Sequence, residues 1–569
     1  MQDEMDLVVR GGMIYDGAGG DAYKADIAIK DGKIIAIGSD LPKGAEEIDA
    51  TGKIVTPGFI DLHTHYDAQV TWSNRIDPSS WNGVTTVMIG NCGVGFAPCR
   101  PHQQSQLVEL MEGVEDIPEP VLTEGLTWNW ESFPEYLNAI DGKQFDIDVV
   151  TQVPHAALRV FVMGDRGVAR EDATAEDRAE MARIAAEGIK SGALGFSTSR
   201  TINHRTVAGA FTPTLGAAEL ELTEIAKAVG ETGAGWLQVI SDFDEPESEM
   251  EMLKRLAKVS NRPMTITVLQ RDSRPELWRE TMDAIADANA DGATIVGQVL
   301  TRPTGVMLGF EISLNPFMGC PAWREIQGLS HVQKIERLRQ PETKALILAQ
   351  RQEDHLMRTR VTAWNRIFPL GDPPDYEPGP EKSIASLAEK AGQTPEEFCY
   401  DLLLENDGRT ILYRPLSNYA YGDLNTVSDM MQHPNSLIGL GDGGAHVGVL
   451  TDASAMTFML THWTRDRSRG DRVPLEWAVK RLTNDNAKAI GLNDRGLLAV
   501  GKKADINVID YQELAIRPPE VLYDLPAGGR RMVQRTRGYD ATIVSGKVIY
   551  RNGQPTGELP GRLVRGARS

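Results

Sequence analysis

The chain has 569 residues, 41% of them hydrophobic, and a formal net charge of −21 at neutral pH. This composition is typical of a globular protein, and the acidic excess disfavours nucleic acid and anionic membranes as partners. No apolar run approaches the roughly 18 residues of a membrane span, the N-terminus is too acidic for a signal peptide, and four cysteines cannot form a disulfide framework in so long a chain. We therefore expect a cytoplasmic protein with a small molecule as its partner, and homo-oligomerisation is left open.

Both ends of the chain have the pattern of short β-strands. Near the N-terminus, Asp31-Gly32 separates two apolar runs, which is a strong signal for a tight hairpin. Near the C-terminus, β-branched residues dominate 504–510 and 541–550, and Ser545-Gly546 marks a turn within the second segment. The sequence thus predicts one small β-sandwich domain built from residues 1–56 and 495–569.

The middle of the chain alternates short apolar runs with helical patterns, which favours βα units around a parallel sheet. In one such unit, residues 172–190 have helical periodicity, Thr174 is a candidate N-cap, and Gly192 ends the helix before a strand at 193–197. We expect an α/β fold in which residues 57–494 form a TIM-like (β/α)8 barrel, with an insertion at about 302–425 over the barrel mouth. The other predicted strands are 84–89, 147–153, 236–240, 264–269, 293–299 and 437–441.

The strongest chemical signal is His63-Thr-His65 at the end of an apolar strand. Side chains two positions apart on a strand point to the same face, so both imidazoles can reach one metal ion. His-X-His pairs also occur on surfaces without a ligand, but this pair follows a predicted β domain and precedes a series of βα units. The position favours a metal site at the start of the barrel.

Further motifs follow the histidine pair: Gly90-Asn-Cys-Gly-Val-Gly95, Gly192-Ala-Leu-Gly-Phe-Ser197 and Gly441-Asp-Gly-Gly444. Together with His63-Thr-His65 they resemble the metal-dependent amidohydrolase superfamily, and Asn91-Cys92-Gly93 resembles its N-acyl-D-amino-acid deacylase (D-aminoacylase) branch. The resemblance implies hydrolysis of a linear amide C–N bond, in an N-acyl amino acid or a related acylated amine. It also implies that the Cys92 thiolate replaces a modified lysine as a metal ligand.

Asp442 follows the predicted last barrel strand and completes a ligand set with His63, His65 and Cys92. A carboxylate at this place can bind the metal, accept a proton from the attacking water and return it to the leaving amine. Imidazole, thiolate and carboxylate ligands together favour zinc over iron or manganese, and we expect one divalent ion per chain rather than two.

The sequence departs from the deacylase branch at two positions. Members of that branch carry one histidine after the fifth strand and another after the sixth, where the flanking residues align Ser241 and Val268. Valine cannot bind a metal and serine binds zinc poorly. Three arrangements remain open: a single ion on the four residues above, a carboxylate from Asp242 or Asp244, or a substitute ligand from His204 after the fourth strand. We favour the first.

Five polar residues near the ends of predicted strands are candidates for binding the substrate. An arginine among them can hold a substrate carboxylate through a bidentate pair, although a structural ion pair is an equally good interpretation at these positions. The candidates are His155, Arg159, Arg200, His204 and His446.

Two other functions compete with amide deacylation. A cyclic-amide hydrolase such as a hydantoinase or imidase relies on a modified lysine after the fourth strand, and residues 194–198 contain no lysine. A catalytically silent barrel that serves as a binding or scaffold protein would explain the missing histidines. Bound metal together with hydrolysis of an acyl amide would distinguish an enzyme from a scaffold.

Overall fold

A computed structural model describes residues 5–350 and 360–566 of the chain. Its central element is a curled sheet of eight strands in which every neighbouring pair is parallel, and this confirms the predicted α/β fold with a TIM-like barrel. Strands of such a sheet are largely apolar because they are buried on both faces. In chain order, barrel strands 1 to 8 are Phe59–Asp61, Val84–Ile89, Asp148–Pro154, Gly195–Arg200, Trp236–Ser241, Met264–Thr267, Ile295–Val299 and Ser436–Ile438.

Barrel strands 1 and 8 meet along a seam just beyond their carboxyl ends. The Asp442 amide donates to the His63 carbonyl at 3.0 Å, and the His65 amide donates to the Gly443 carbonyl at 2.8 Å. Glycine is required at position 441 of this seam because a β-carbon there would collide with the Asp61 carboxylate. The seam therefore places the segments that follow strands 1 and 8 side by side at one end of the barrel.

The helix predicted at 172–190 is observed as Ala175–Ser191. Its first turn has a capping box, in which the Asp177 amide donates to Thr174 Oγ1 at 3.2 Å and the Thr174 amide donates to Asp177 Oδ2 at 2.9 Å. Gly192 ends the helix in the left-handed conformation with a φ of 118°. The other helices outside the insertion are Gln69–Trp72, Gln104–Glu115, Glu119–Gly125, Phe133–Asp141, His155–Met163, Asp165–Val168, Glu219–Glu231, Pro246–Ser260, Leu277–Ala290, Asn425–Gln432, Ala455–Phe458, Met459–Asp466, Leu475–Leu482 and Asn484–Ala489.

None of the helices in the described ranges combines the length and the apolar character needed to cross a lipid bilayer.

Strands from both termini pair in a second sheet of nine strands. The predicted hairpin at Asp31-Gly32 is present, with both residues left-handed at φ values of 50° and 73°. A two-residue turn of this kind matches the twist of the strands that it joins. The exact boundaries of the predicted terminal domain stay a prediction. The strands of this sheet are Met5–Ile14, Tyr23–Lys30, Lys33–Gly38, Gly44–Asp49, Ile54–Pro57, Ile506–Ile509, Tyr539–Val544, Lys547–Arg551 and Gln554–Pro555.

The segment predicted as an insertion contains its own small sheet and its own apolar cluster. The antiparallel sheet joins Gly305–Leu308, Leu412–Pro415 and Phe368–Pro369. At its base, buried Arg302 pairs with Asp452 of the loop after barrel strand 8 at 2.7 Å. The insertion is thereby tied to the carboxyl end of the barrel. Its helices are Pro321–Ile326, His331–Leu338, Pro341–Ala349, Ile384–Ala391, Pro395–Leu403 and Glu405–Gly408.

Candidate metal centre

His63, His65 and Cys92 converge at the carboxyl end of the barrel. One ligand atom from each lies within 4.8 Å of the other two. Among the histidine, cysteine, aspartate and glutamate side chains of the described residues, these three form a group close enough to hold a metal ion. His63 Nε2 lies 3.1 Å from Cys92 Sγ. All three side chains are at most 4% exposed. The sequence therefore brings two segments, separated by a whole βα unit, to one buried point.

The His63 ring is oriented by Gln298 of barrel strand 7, and its backbone is held by Asp61 of barrel strand 1. Its Nδ1 lies 2.8 Å from the amide oxygen of Gln298 on barrel strand 7, so in the tautomer that donates to this oxygen the Nε2 lone pair faces Cys92. The His63 backbone amide also donates to Asp61 Oδ1 at 3.1 Å. A partner on the far ring nitrogen is the usual way in which proteins orient a metal-binding histidine.

The Asn91-Cys92-Gly93 turn lies inside the barrel, and side chains of three strands hold it there. Cys92 has a φ of 55°, a left-handed conformation that bends the chain sharply after barrel strand 2. Gln152 Nε2 donates a hydrogen bond to Asn91 Oδ1 at 2.8 Å. The Cys92 amide donates to Gln238 Oε1 at 2.9 Å, and the Gly93 amide donates to Ser197 Oγ at 2.9 Å. The thiol is thus placed by an ordered network rather than by a free loop.

Asp442 faces the histidine pair from the other side of the seam. Its Oδ1 lies 3.7 Å from His63 Nε2 and 3.8 Å from His65 Nε2. Asp442 and His446 are both left-handed, with φ values of 43° and 47°, and this folds the segment after barrel strand 8 back over the barrel end. The four residues of the predicted ligand set, His63, His65, Cys92 and Asp442, therefore share one location.

Glu115, at the last position of Gln104–Glu115, is a site residue that the sequence analysis did not find. Its Oε1 lies 3.2 Å from His65 Nδ1, and its Oε2 lies 3.6 Å from His446 Nε2. Only 1% of the residue is exposed. A signal was present in the sequence, because Glu115 falls on the same helical face as Leu107 and Met111 and is an acid on an apolar stripe.

Gln238 and Gln298 were also missed, although each is an amide between apolar neighbours in a barrel strand. Inward-pointing polar side chains in a buried strand must find partners, so they mark a site or a network. Here they bind Cys92 and His63 respectively.

Burial controls the electrostatics of the cluster. It raises the pKa of Cys92, Glu115 and Asp442 well above their ordinary values, and the neighbouring acids, including Asp67, raise those of Cys92 and Glu115 further. Burial lowers the pKa of His63 to about 4. The lowered pKa of His63 favours the neutral imidazole, which keeps a lone pair for a ligand, and no lysine or arginine among the described residues lowers the pKa of the crowded acids.

The residues present fit a divalent cation. His65 Nδ1, Glu115 Oε2 and Asp67 Oδ2 are buried, and within the described residues no hydrogen bond of good geometry satisfies them. Buried polar atoms of this kind are costly unless a ligand or ion compensates them. Two imidazoles, a thiol and a carboxylate within reach of one point are a donor set that suits zinc.

The structure does not bring His155 and Arg159 to this cluster. The two ring nitrogens of His155 lie 2.8 Å from Thr198 Oγ1 and 2.8 Å from Glu221 Oε1, and Arg159 Nε lies 3.3 Å from the same glutamate oxygen. All three ionisable residues are at most 2% exposed. Both ring nitrogens of His155 are thus engaged, and Arg159 lies in ion-pair range of Glu221 although its Nε makes no hydrogen bond of good geometry among the described residues, which agrees with the structural ion pair that was the alternative interpretation.

Arg200 and Ser241 are joined to each other through Glu249. Arg200 Nε lies 2.5 Å from Glu249 Oε1, and Ser241 Oγ donates to the same oxygen at 2.9 Å. Val268, the other residue aligned with a histidine of the deacylase branch, is buried at 2% exposure. At the two positions aligned with the histidines, the chain therefore has a serine that donates a hydrogen bond to the Arg200–Glu249 ion pair and a buried valine.

The two alternative sources of a ligand differ in their placement. Asp242 accepts hydrogen bonds from Thr201 Oγ1 at 2.8 Å and from Arg271 at 3.0 Å, and Asp244 is exposed. His204 binds Ser199 Oγ through Nδ1 at 2.8 Å, and burial together with nearby His446 lowers its pKa to about 3. His204 thus faces the histidine cluster from barrel strand 4, outside the group of three ligands.

Comparison with known proteins agrees with this geometry. A model of the amidohydrolase family matches residues 46–550, so the chain belongs to the amidohydrolase family. An uncharacterised protein of Mycobacterium tuberculosis is 28% identical, covering 97% of this chain and 93% of its own length. N-acyl-D-glutamate deacylase of Alcaligenes xylosoxydans xylosoxydans is 27% identical, covering 99% of this chain and 97% of its own length.

A solved structure extends the comparison to the fold. N-acyl-D-glutamate deacylase of Bordetella bronchiseptica, determined with zinc and a phosphonate mimic of the tetrahedral intermediate, superposes with a TM-score of 0.65 at 22% identity. The match covers 99% of this chain and 100% of that one. These matches confirm the resemblance to the deacylase branch that the motifs indicated.

Proposed function

We propose that the protein is a metal-dependent deacylase that hydrolyses the linear amide bond of an N-acyl amino acid, with an N-acyl-D-amino acid as the first candidate. The observation that carries the proposal is the buried group of His63, His65 and Cys92, with Asp442 beside it at the carboxyl end of the barrel. Active sites of such barrels lie at that end. Relatives named as deacylases of D-glutamate and D-aspartate derivatives support the substrate class.

His63, His65 and Cys92 are the residues that would hold the ion, with Asp442 as a further ligand. A divalent cation in this site polarises a substrate carbonyl and lowers the pKa of a water, and we propose one zinc ion per chain. The protein supplies the orientation, because Gln298 fixes the His63 ring and the Asn91-Cys92-Gly93 network fixes the thiol.

Asp442 is proposed to move the proton in the reaction. Its carboxylate accepts a proton from the attacking water and donates it to the leaving nitrogen, so that the amine departs neutral. Among the protein groups alone, burial with Asp452 and Asp61 nearby raises the pKa of Asp442, whereas a bound cation would favour the ionised carboxylate that acts as the base.

The test combines metal analysis with a substrate panel. Protein purified in zinc-supplemented buffer is expected to hold about one divalent ion per chain and to release free amine from at least one N-acetyl amino acid. The panel contains the D and L forms of N-acetyl-glutamate, N-acetyl-aspartate and N-acetyl-leucine, with hydantoin as a cyclic amide.

A matched pair of variants provides the control. His63→Ala is expected to lose both metal and activity, whereas His102→Asn, an exposed histidine, is expected to keep both. A parent protein that holds no metal and cleaves none of the compounds would refute the proposal and favour a scaffold role.

A further inference from the structure

Glu115 occupies an unusual position for an acid. It is the last residue of Gln104–Glu115, it is 1% exposed, and its Oε2 has no hydrogen bond within the described part of the chain. Leaving a buried carboxylate oxygen without a donor is destabilising, so the side chain requires an explanation other than packing. The explanation must lie in what surrounds the carboxylate.

Two imidazoles lie against this carboxylate. Oε1 is 3.2 Å from His65 Nδ1, and Oε2 is 3.6 Å from His446 Nε2. The opposite nitrogen of the His65 ring, Nε2, faces Asp442 Oδ1 at 3.8 Å and belongs to the metal-binding side. The carboxylate therefore contacts the one ring nitrogen of His65 that points away from Asp442.

A carboxylate in this place decides which His65 nitrogen carries the proton. An ionised or protonated carboxyl oxygen accepts from Nδ1–H, and the neutral imidazole then has its lone pair on Nε2. Only that tautomer can bind a metal ion on the Asp442 side. The distance of 3.2 Å is within hydrogen-bonding range, and His65 Nδ1 has no other hydrogen-bond partner among the described residues.

We propose that Glu115 is a positioning residue for the metal centre, which fixes the tautomer and orientation of His65 and holds His446 beside it. This inference rests on the proposed function, since it assigns Glu115 to the same metal site. It adds a residue from the helix after barrel strand 2 to a site otherwise built from strand ends.

The residue next to Glu115 anchors it in place. Asp116 is left-handed with a φ of 54°, and its Oδ2 accepts from Ser313 Oγ of the insertion and from the Gly448 amide, each at 3.1 Å. A β-carbon at position 448 would collide with Ser313. The helix end that carries Glu115 is thereby fastened both to the insertion and to the loop that carries His446.

Zinc affinity, measured by competition with a chromophoric chelator, tests the inference without using activity. Glu115→Ala is expected to weaken zinc binding by about 10- to 100-fold, as is typical when the outer partner of a metal-binding histidine is removed. Glu115→Gln keeps an acceptor oxygen for Nδ1–H and is expected to lose less. Glu109→Gln, an exposed charge change on the same helix, is the matched control and is expected to bind zinc like the parent.

Two further measurements separate positioning from a purely structural role. The visible spectrum of the cobalt-substituted protein is expected to change in Glu115→Ala because the geometry of the histidine ligand changes. The melting temperature of metal-free Glu115→Gln is expected to equal or exceed that of the metal-free parent, because the substitution removes a buried carboxylate that lacks a full set of partners.

The outcomes distinguish this inference from the proposed function. A parent that binds no metal would overturn both. A parent that binds zinc tightly, with Glu115→Ala binding it equally well and giving the same cobalt spectrum, would overturn the role of Glu115 alone. A fall in the metal-free melting temperature of Glu115→Gln that accompanies the loss of affinity would show a structural role and would also overturn the positioning role.

Discussion

The barrel end has two sides that treat buried charge differently. At strands 1, 2 and 8, His65, Cys92 and Asp442 are crowded with Glu115 and Asp67, and several of their polar atoms have no hydrogen-bond partner among the described residues. At strands 3, 4 and 5, ionisable groups pair with one another, as in the buried pair His155–Glu221 and the half-buried pair Arg200–Glu249. The first side therefore has a group of side chains that could hold a metal ion, and the second side has ion pairs.

The difference in pairing between the two sides indicates which residues are candidates for ligand binding. Both sides carry the residue types that suggest chemistry in a sequence, namely histidine, arginine and acids. Only the arrangement shows that one set forms ion pairs within the protein, whereas the other includes the group that we propose binds a metal ion. Substitutions on the two sides are therefore expected to differ in kind: loss of metal and activity on one side, and loss of stability on the other.

The largest effect is expected at the histidine pair. His63→Ala and His65→Ala each remove a ligand from a group that spans only 4.8 Å, so metal content should fall below half of the parent value and activity by roughly 100-fold or more. Elemental analysis and deacylation rates check this prediction. Full metal content and activity in both variants would contradict the assignment of a metal site to strands 1, 2 and 8.

The next largest effect is expected at Asp442. Asp442→Asn keeps the size of the side chain but cannot accept and return a proton, so kcat should fall by roughly 10²- to 10⁴-fold, the usual contribution of a general acid–base group. Zinc binding should fall far less than in the histidine variants, because the three-ligand group remains intact. Parallel losses of metal and rate would instead indicate that Asp442 acts only as a ligand.

On the paired side, Glu221→Gln is expected to lower the free energy of unfolding by about 3 to 5 kcal/mol, because it leaves Arg159 buried without its charge partner. Zinc content should stay at the parent level. Glu219 lies on the same helix as Glu221 and forms an exposed ion pair with Arg255 of the next helix. Glu219→Gln is therefore the control and should change stability little. Chemical denaturation and metal analysis report the two quantities separately.

The smallest effect concerns acid stability at a second paired cluster. Burial opposes ionisation of Glu377, but hydrogen bonds from His462 and Arg467 prevail and lower its pKa to about 2. A carboxyl group with a depressed folded pKa stabilises the protein fully above its unfolded pKa of about 4.5, and the contribution is lost as the pH falls towards 2. At pH 7 this contribution is about 3 kcal/mol.

The measurement compares the parent with Glu377→Gln by denaturation between pH 7 and pH 2.5. The variant should be less stable at pH 7, and the gap should narrow as the pH falls below about 4.5, because Glu377 then binds a proton in the unfolded state of the parent while it stays ionised in the folded state down to about pH 2. A gap that stays constant over this range would show that Glu377 is not held ionised by its partners.

Much of the fold was predictable because its signals are local. The strand Val84–Ile89 and the cap at Thr174 follow from apolar runs and capping chemistry within a few residues. The left-handed Asp31-Gly32 turn follows from its dipeptide alone. The interior of the insertion was not predicted, because its small sheet pairs Gly305–Leu308 with Leu412–Pro415 across a long intervening segment.

The candidate site was predictable only in part, for the same reason. His63, His65 and Cys92 lie next to strand ends in recognisable motifs, so their shared location could be inferred. The role of Glu115 depends on where a helix end meets His65 and His446, and no motif marks that meeting point. His155 and Arg159 sit in an equally suggestive sequence context, yet Glu221 engages both.

The sequence by itself determined which chemical groups are available and which strand ends carry them, since strand periodicity and tight turns are properties of neighbouring residues. Only the tertiary structure decided which of those groups are satisfied by one another. A buried histidine such as His155 becomes a structural residue when an acid from a distant helix lies 2.8 Å from its ring, whereas His63 Nε2 faces a thiol and His65 Nε2 faces another acid at the carboxyl end of the barrel. That outcome depends on distances between segments far apart in the chain, which local patterns do not encode.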